Sequence, residues 1–291
     1  MQYRTDLAIE NHELIEEARA RATGYIKKQQ QKDICVTEII ITDEQGEIAF
    51  GKPKGTYITI EVDGILEQKD KIKERAAHTL AEELKKMIKF DYYLKVLVVG
   101  LGNEKVTPDS LGPHTVDKVK ITAHLFEIFK ADGDWEMTNV SGFNPSVTGV
   151  TGMETADLIE KVTSMVHPDV VLIVDSLAAR NIDRMSTTIQ LCDTGIEPGA
   201  GMGNRRKAIS EETLGCKVVS IGVPTVIDSR NLIIEAAQAT EFADEKKIDK
   251  YFKEKELNMI VTSTDIDEII KDFSDIISNA INITLHPGIY S

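Results

Sequence analysis

Lys95-Val-Leu-Val-Val-Gly-Leu-Gly102 and Asp169-Val-Val-Leu-Ile-Val-Asp175 decide the fold of this chain. Both stretches are apolar throughout rather than alternating, the pattern of strands buried on both faces of a parallel sheet, and helical periodicity lies between and after them. The reading is an α/β fold: an open, mostly parallel sheet with helices on both faces. Such a sheet binds ligands in the crevice beyond the carboxyl ends of its strands. The first run leads through a short polar loop to Asp109 and the second ends on Asp175. Both carboxylates are therefore expected in one crevice, where an acid pair suits the activation of water.

On the N-terminal side, Glu10 to Gln31 reads as a polar helix. Ile34 to Thr42, rich in β-branched residues, is expected to turn at Asp43-Glu-Gln-Gly46 and pair with Ile48-Ala-Phe50 as a hairpin. Thr56 to Val62 reads as a strand, and Asp70 to Phe90 as an amphipathic helix with Ile72, Ala76, Leu80, Leu84 and Met87 on one face. After strand Val96 to Val99, the pattern predicts a helix from about Gly112 to Phe129, a loop from Ser141 to Gly152 and a helix from about Glu154 to Val166. Strand Val170 to Val174 precedes an edge strand Thr187 to Cys192, a glycine-rich loop Gly195 to Gly203, a strand Lys217 to Gly222 and a helix after Pro224. The sequence from about Ala243 is helix-rich. No repeat or long linker divides the chain, so one domain is expected, with its α/β core at about residues 91–240.

Forty-eight acids against thirty-four bases give a net charge of -14, which repels phosphate backbones and argues against a nucleic-acid partner. The three cysteines, Cys35, Cys192 and Cys216, lack the close spacing of a metal knuckle or redox pair and read as reduced thiols. No apolar run has the length of a membrane span, and Met1-Gln-Tyr-Arg-Thr-Asp-Leu7 carries no signal-peptide core. A cytoplasmic protein without a membrane partner is expected.

Gly100-Leu-Gly-Asn103 after a strand suggests a dinucleotide loop, but Lys105 stands where the third glycine belongs and Asp109 would repel pyrophosphate. The two acids have local alternatives as well. Asp109 would cap the following helix, and Asp175 would satisfy loop N–H groups. Placed together at the ends of two buried strands, they point instead to hydrolysis by a pair sharing one proton, one carboxyl polarising a carbonyl while the other takes a proton from water. The six histidines form no metal-binding repeat, and no serine elbow or catalytic cysteine context is present. Gly203-Asn-Arg-Arg-Lys207 is a basic cluster in an acidic chain. Either it is a solvated turn, or Arg205, Arg206 and Lys207, with Arg180 and Arg184 from the rim past Asp175, recognise an acidic side chain, the arginines through guanidinium forks.

Gly100-Leu-Gly-Asn-Glu-Lys-Val-Thr-Pro-Asp-Ser-Leu-Gly-Pro113, Val174-Asp-Ser-Leu-Ala-Ala-Arg180, Asp193-Thr-Gly-Ile-Glu-Pro-Gly-Ala-Gly-Met-Gly-Asn-Arg-Arg-Lys207 and Ile221-Gly-Val-Pro-Thr-Val226 closely resemble the germination protease family of spore-forming bacteria. The likeness extends to Arg4-Thr-Asp-Leu-Ala8, Gly51 to Ile60 and Leu285-His286. It implies an endopeptidase that degrades small acid-soluble spore proteins during germination, cutting after an acidic residue, before an apolar one followed by alanine. It also implies a homotetrameric, self-processing zymogen made in sporulation and located in the forespore and spore core, with no cofactor. The family's two proposed catalytic aspartates fall on Asp109 and Asp175. Thr5-Asp6-Leu7-Ala8 matches the substrate pattern, so residues 1–6 are expected to be a propeptide cut between Asp6 and Leu7, with 7–291 the peptidase domain. As a local alternative, Thr5 caps the first helix. The fold is similar to hydrogenase-maturation peptidases, with an N-terminal β-hairpin addition and a helical C-terminus. The alternatives are a metal-dependent peptidase related to those enzymes, although Thr187 to Gly203 holds no histidine ligand, and a non-catalytic α/β ligand-binding protein.

Overall fold

Unbroken apolar runs form strands covered on both sides, and the two runs that open the sequence reading are neighbours in one sheet. The computed structural model describes residues 5–17, 24–30, 34–65, 71–202, 206–240 and 245–290. The N-terminal elements are α1 (Ala8–Glu17), β1 (Tyr25–Gln30), β2 (Cys35–Ile41), α2 (Glu44–Phe50), β3 (Gly55–Glu61) and α3 (Ile72–Met87). The centre comprises β4 (Lys95–Gly100), α4 (Leu111–Val116), α5 (Ala123–Phe129), β5 (Asn139–Phe143), α6 (Thr148–Thr151), α7 (Thr155–Val166), β6 (Val170–Ala179) and β7 (Thr188–Cys192). The remainder is α8 (Glu211–Leu214), β8 (Lys217–Asp228), α9 (Ser229–Ala239), α10 (Glu245–Glu254), β9 (Ile260–Val261) and α11 (Ile266–Leu285).

The strand order is β1-β2-β3-β7-β8-β6-β4-β5, with β9 on β8. The half from β8 to β5 is parallel, as the apolar runs require. From β8 through β7, β3 and β2 to β1 each pairing is antiparallel. Alternate residues face opposite layers. Val96, Val98, Leu172 and Val174 pack under Leu80 and Leu84 of α3 and Phe273 and Ile277 of α11, whereas Leu97, Val99, Val171 and Ile173 pack against Ala156 and Ile159 of α7. On the latter face, further across the sheet, Leu7, Ala8 and Ile9 cover Ile39, Ile41, Leu177 and Cys192.

Several segments differ from the sequence reading. Of the helix expected to Gln31, Ala8–Glu17 is helical, and Tyr25–Gln30 is instead the edge strand β1, paired with β2 from Tyr25 opposite Ile41. The open edge of β2 overrides the helix propensity of this polar run. Positions 18–23 and 31 lie outside the described residues. The N-terminal hairpin therefore exists, but its strands are β1 and β2. Residues 44–50 are helical because the Asp43 carboxylate accepts from Gln45 N and Gly46 N, both at 3.0 Å, and caps α2.

The long helix expected after Gly112 is two short ones. Thr122 breaks it, donating through Oγ1 to Thr138 O at 2.5 Å and accepting from Val140 N at 2.9 Å. Those bonds tie the chain to β5, whose Ser141 to Phe143 stand where a loop is expected from Ser141 to Gly152. β7 is interior, between β3 and β8, rather than at the edge. β8 continues through Pro224 to Asp228 before α9 begins, because a register shift beside Leu177 and Ala178 accommodates a residue that cannot donate to the ladder. Among the described residues no helix is long and apolar enough to cross a membrane.

Candidate active site

β6 outruns β4, and this length difference makes the crevice. The parallel pairing ends with Gly100 opposite Val174, and β6 continues beside β8. Asp175 is thus the first residue of β6 past the end of β4, and lies within a strand, not at its end. The chain leaving β4 folds over that position, Leu101 N donating to Val174 O at 2.8 Å. Two glycines permit the close approach. A side chain at Gly112 would meet Leu101 O at 2.2 Å and Val174 O at 2.6 Å, and one at Gly102, whose φ is +111°, would meet Asp109 O at 1.9 Å. These glycines bring backbone to backbone; they do not form a phosphate cradle. A single 3-10 turn, Thr107–Asp109, then carries the acid, and Asn103 N donates to both Asp109 Oδ2 and Asp109 O at 2.9 Å.

The two carboxyls have different surroundings. Burial pushes Asp109 up to about 6, against the opposing effect of the Asn103 N–H. Asp175 is buried and raised well above the ordinary carboxylate range, first by desolvation and then by the charges of Asp109 and Asp6, with the Ser176 N–H at 2.8 Å opposing. The structure thus brings Asp109, Asp175 and Asp6 into one electrostatic neighbourhood.

Asp6 belongs to a segment threaded along β6. Its N–H donates to Ala178 O at 3.0 Å, and its carboxylate Oδ2 accepts from Ala178 N at 2.9 Å. Gly201 N–H also faces that carboxylate, and burial raises Asp6 while Lys52 and these amides lower it. The Gln190 side chain spans the next peptide groups, with Nε2 donating to Asp6 O at 3.0 Å and Oε1 accepting from Ala8 N at 2.7 Å. Leu7 has no exposed surface, which contributes roughly 2 kcal/mol to holding the segment down. Thr5 Oγ1 accepts from Leu7 N at 3.0 Å, so Thr5 does organise the entry to α1. An adjoining cavity of about 1300 Å³ is lined by Asp6, Lys52, Tyr57, Leu177, Gln190 and Gly222 among others.

The described basic residues expected to recognise an acidic side chain have different partners. Arg180 presents its backbone N–H to Glu10 Oε2 at 2.8 Å. Lys207 Nζ is bonded to Asp157 and Glu160 of α7 at 2.8 and 3.2 Å. Arg206 is exposed, its backbone N–H donating to Pro198 O at 3.1 Å. Arg205 and the leader residues 1–4 lie outside the described residues. Gln190 was not singled out from the sequence. The signal was its place between Ile189 and Leu191, where a polar residue alternates with buried apolar ones. Among the described residues no three of His, Cys, Asp and Glu converge as a metal-ligating group. A second cavity, of about 1060 Å³, includes Lys95 and Asp169 at the opposite ends of β4 and β6.

The sequence is similar to those of known proteins along nearly its whole length. The chain is similar to germination proteases from Caldanaerobacter subterraneus subsp. tengcongensis, at 41% identity across 98% of this chain and 95% of that protein, and from Clostridium tetani, at 39% across 99% and 97%. The germination protease of Bacillus cereus strain AH187 is 33% identical across 97% of this chain and 93% of that one. Among solved structures, the [NiFe] hydrogenase maturation protease HycI from Thermococcus kodakarensis KOD1 aligns over 68% of this chain and 99% of its own at 11% identity, with a TM-score of 0.34. The family model described as germination protease matches residues 4–256, and the chain therefore belongs to the germination protease family.

Proposed function

We propose that this endopeptidase hydrolyses peptide bonds with Asp109 and Asp175 as an aspartic pair and that its first substrate is its own Asp6–Leu7 bond. The observation carrying the proposal is that Leu7 and Ala8 are buried and that Asp6, just before them, is close enough for its charge to raise Asp175. Asp109, near 6, is mostly ionised at neutral pH and takes a proton from water as the oxygen attacks the Asp6 carbonyl carbon. Asp175, more deeply buried and facing two other carboxylates, keeps its proton and passes it to the departing Leu7 nitrogen. The products are a carboxylate at Asp6 and a free amine at Leu7.

Residues 1–6 act in this reading as a propeptide that blocks the crevice until it is cut, leaving 7–291 as the active chain. Substrates in trans are small acid-soluble spore proteins, cut after Glu or Asp and before an apolar residue followed by alanine. The support for that preference is the environment of Asp6, whose carboxylate takes the N–H groups of Ala178 and Gly201, with Lys52 adding positive charge. The enzyme works as a homotetramer in the forespore and spore core, and needs no cofactor. The test is incubation of wild type, Asp109→Asn and Asp175→Asn, followed by N-terminal sequencing. Wild type is expected to acquire Leu7 as its first residue, and each variant to remain uncut while retaining its circular dichroism. Near-normal processing by either variant refutes the pair.

A further inference from the structure

Across β6, β8 and β7, Asp175 is opposite Gly222 and Gly222 is opposite Gln190. The three form one row, and residues of one row share a face. Asp175 shares its parity with Leu177, and Gln190 with Cys192, both of which pack against the Leu7 to Ile9 segment. At about 4.8 Å per strand, Asp175 and Gln190 stand about 10 Å apart, with a glycine between them. That trough is wide enough for one peptide backbone and a water. Asp6 and Ala8 reach it at the Gln190 amide.

The orientation of the Gln190 amide is fixed by its partners. Ala8 N–H is only a donor and must face Oε1, while Asp6 C=O is only an acceptor and must face Nε2. Gln190 is buried. It brackets the Asp6–Leu7 bond, one hydrogen bond on the carbonyl before the cut and one on the second amide after it. The Asp6 carbonyl oxygen is thereby held toward Gln190 on β7.

We propose that Gln190 is a catalytic residue of this protease, the donor that polarises the scissile carbonyl and holds the peptide in register, for the leader and for substrates in trans. The proposal rests on the processing reading above and adds to it. As water attacks and the C–O bond forms, the carbonyl π pair moves onto the oxygen, where the Nε2–H meets the developing charge. When the C–N bond breaks, that pair re-forms the carbonyl and the nitrogen takes the Asp175 proton. A preorganised donor at such an oxygen contributes about 10²–10³-fold to the rate.

The experiment follows first-order conversion of full-length protein to the form beginning at Leu7 by mass spectrometry, in wild type, Gln190→Glu and Gln190→Met. Rates are read well below the lowest of the three melting temperatures, so that loss of fold does not enter. Both variants are expected to process about 10²–10³-fold more slowly. In Gln190→Glu, the protonated carboxyl offers an O–H where the native amide offers its N–H. The Gln190→Glu deficit relative to wild type at the same pH should therefore narrow as pH falls, while the Gln190→Met deficit stays constant. A merely structural glutamine would show neither the deficit under these conditions nor the acid rescue. Wild type cut at Asp6–Leu7 with both variants within about threefold of it overturns the role of Gln190 and leaves the processing reading intact, since the loss would be far below a donor's usual contribution. Wild type cut elsewhere overturns the processing reading, and the role of Gln190 with it.

Discussion

Asp109 and Asp175 are acids in which the fold favours the neutral form, so the site works against stability at neutral pH. Burial raises both above the ordinary 3.8. The contribution of such a group to stability is complete below its unfolded value and is lost as pH rises through its folded one. For Asp109 that window runs from 3.8 to about 6. Asp109→Asn should accordingly melt above wild type at about pH 7.5, by a margin on the order of 2–3 kcal/mol, and the two should converge below about pH 4. Calorimetry across that range checks both the sign and the window. In the proposed reaction the same protonation sets the rate, because Asp109 has to be ionised to accept a proton. Self-processing should rise through about pH 6, read as single-turnover rates. Both acids were legible in the sequence because each follows an unbroken apolar run. Gln190 was not, because its partners, Asp6 and Ala8, are more than 180 residues away.

Between elements, the decisive relation is the unequal length of β4 and β6 and the loop that covers the difference. Gly112, in the first turn of α4, touches the chain leaving β4 and the Val174 carbonyl at distances no side chain could share. Gly112→Ala should push α4 and the Asp109 turn away from Asp175. A displacement near 1 Å is enough to lower processing by about 10²-fold. A comparison of single-turnover rates with urea midpoints tests this, since the loss of rate should far exceed what the loss of stability explains. β4, β6 and α3 were readable because the period of their apolar residues is strong over their whole length. β1, α2 and β5 were not. β1 depends on an edge offered by β2, α2 on the Asp43 cap, and β5 on the pair of bonds from Thr122, each a contact that local periodicity does not encode.

For the molecule as a whole, one sheet joins a parallel half that carries the two acids to an antiparallel half that carries Gln190. Asp6 to Ala8 bridge the two halves, Asp6 bonding Ala178 of β6 and both Asp6 and Ala8 bonding Gln190 of β7. In solution the proposed assembly should sediment as four copies of the 32.3 kDa chain, in uncut and in processed protein alike. A monomer by analytical ultracentrifugation of both forms would refute the tetramer. With a net charge of -14, its mass should not change when duplex DNA is added at physiological salt.

The amino-acid sequence by itself determined the buried parallel strands, the acids that follow them and membership in a protease family, because apolar runs and long ungapped strings are properties of neighbouring residues. Tertiary structure alone decided that β7 is interior, that Gly222 separates Asp175 from Gln190, and that Asp6 and Ala8 both meet the Gln190 amide. Those relations follow from strand order and register, which are set by pairing between distant segments and are invisible to any local pattern.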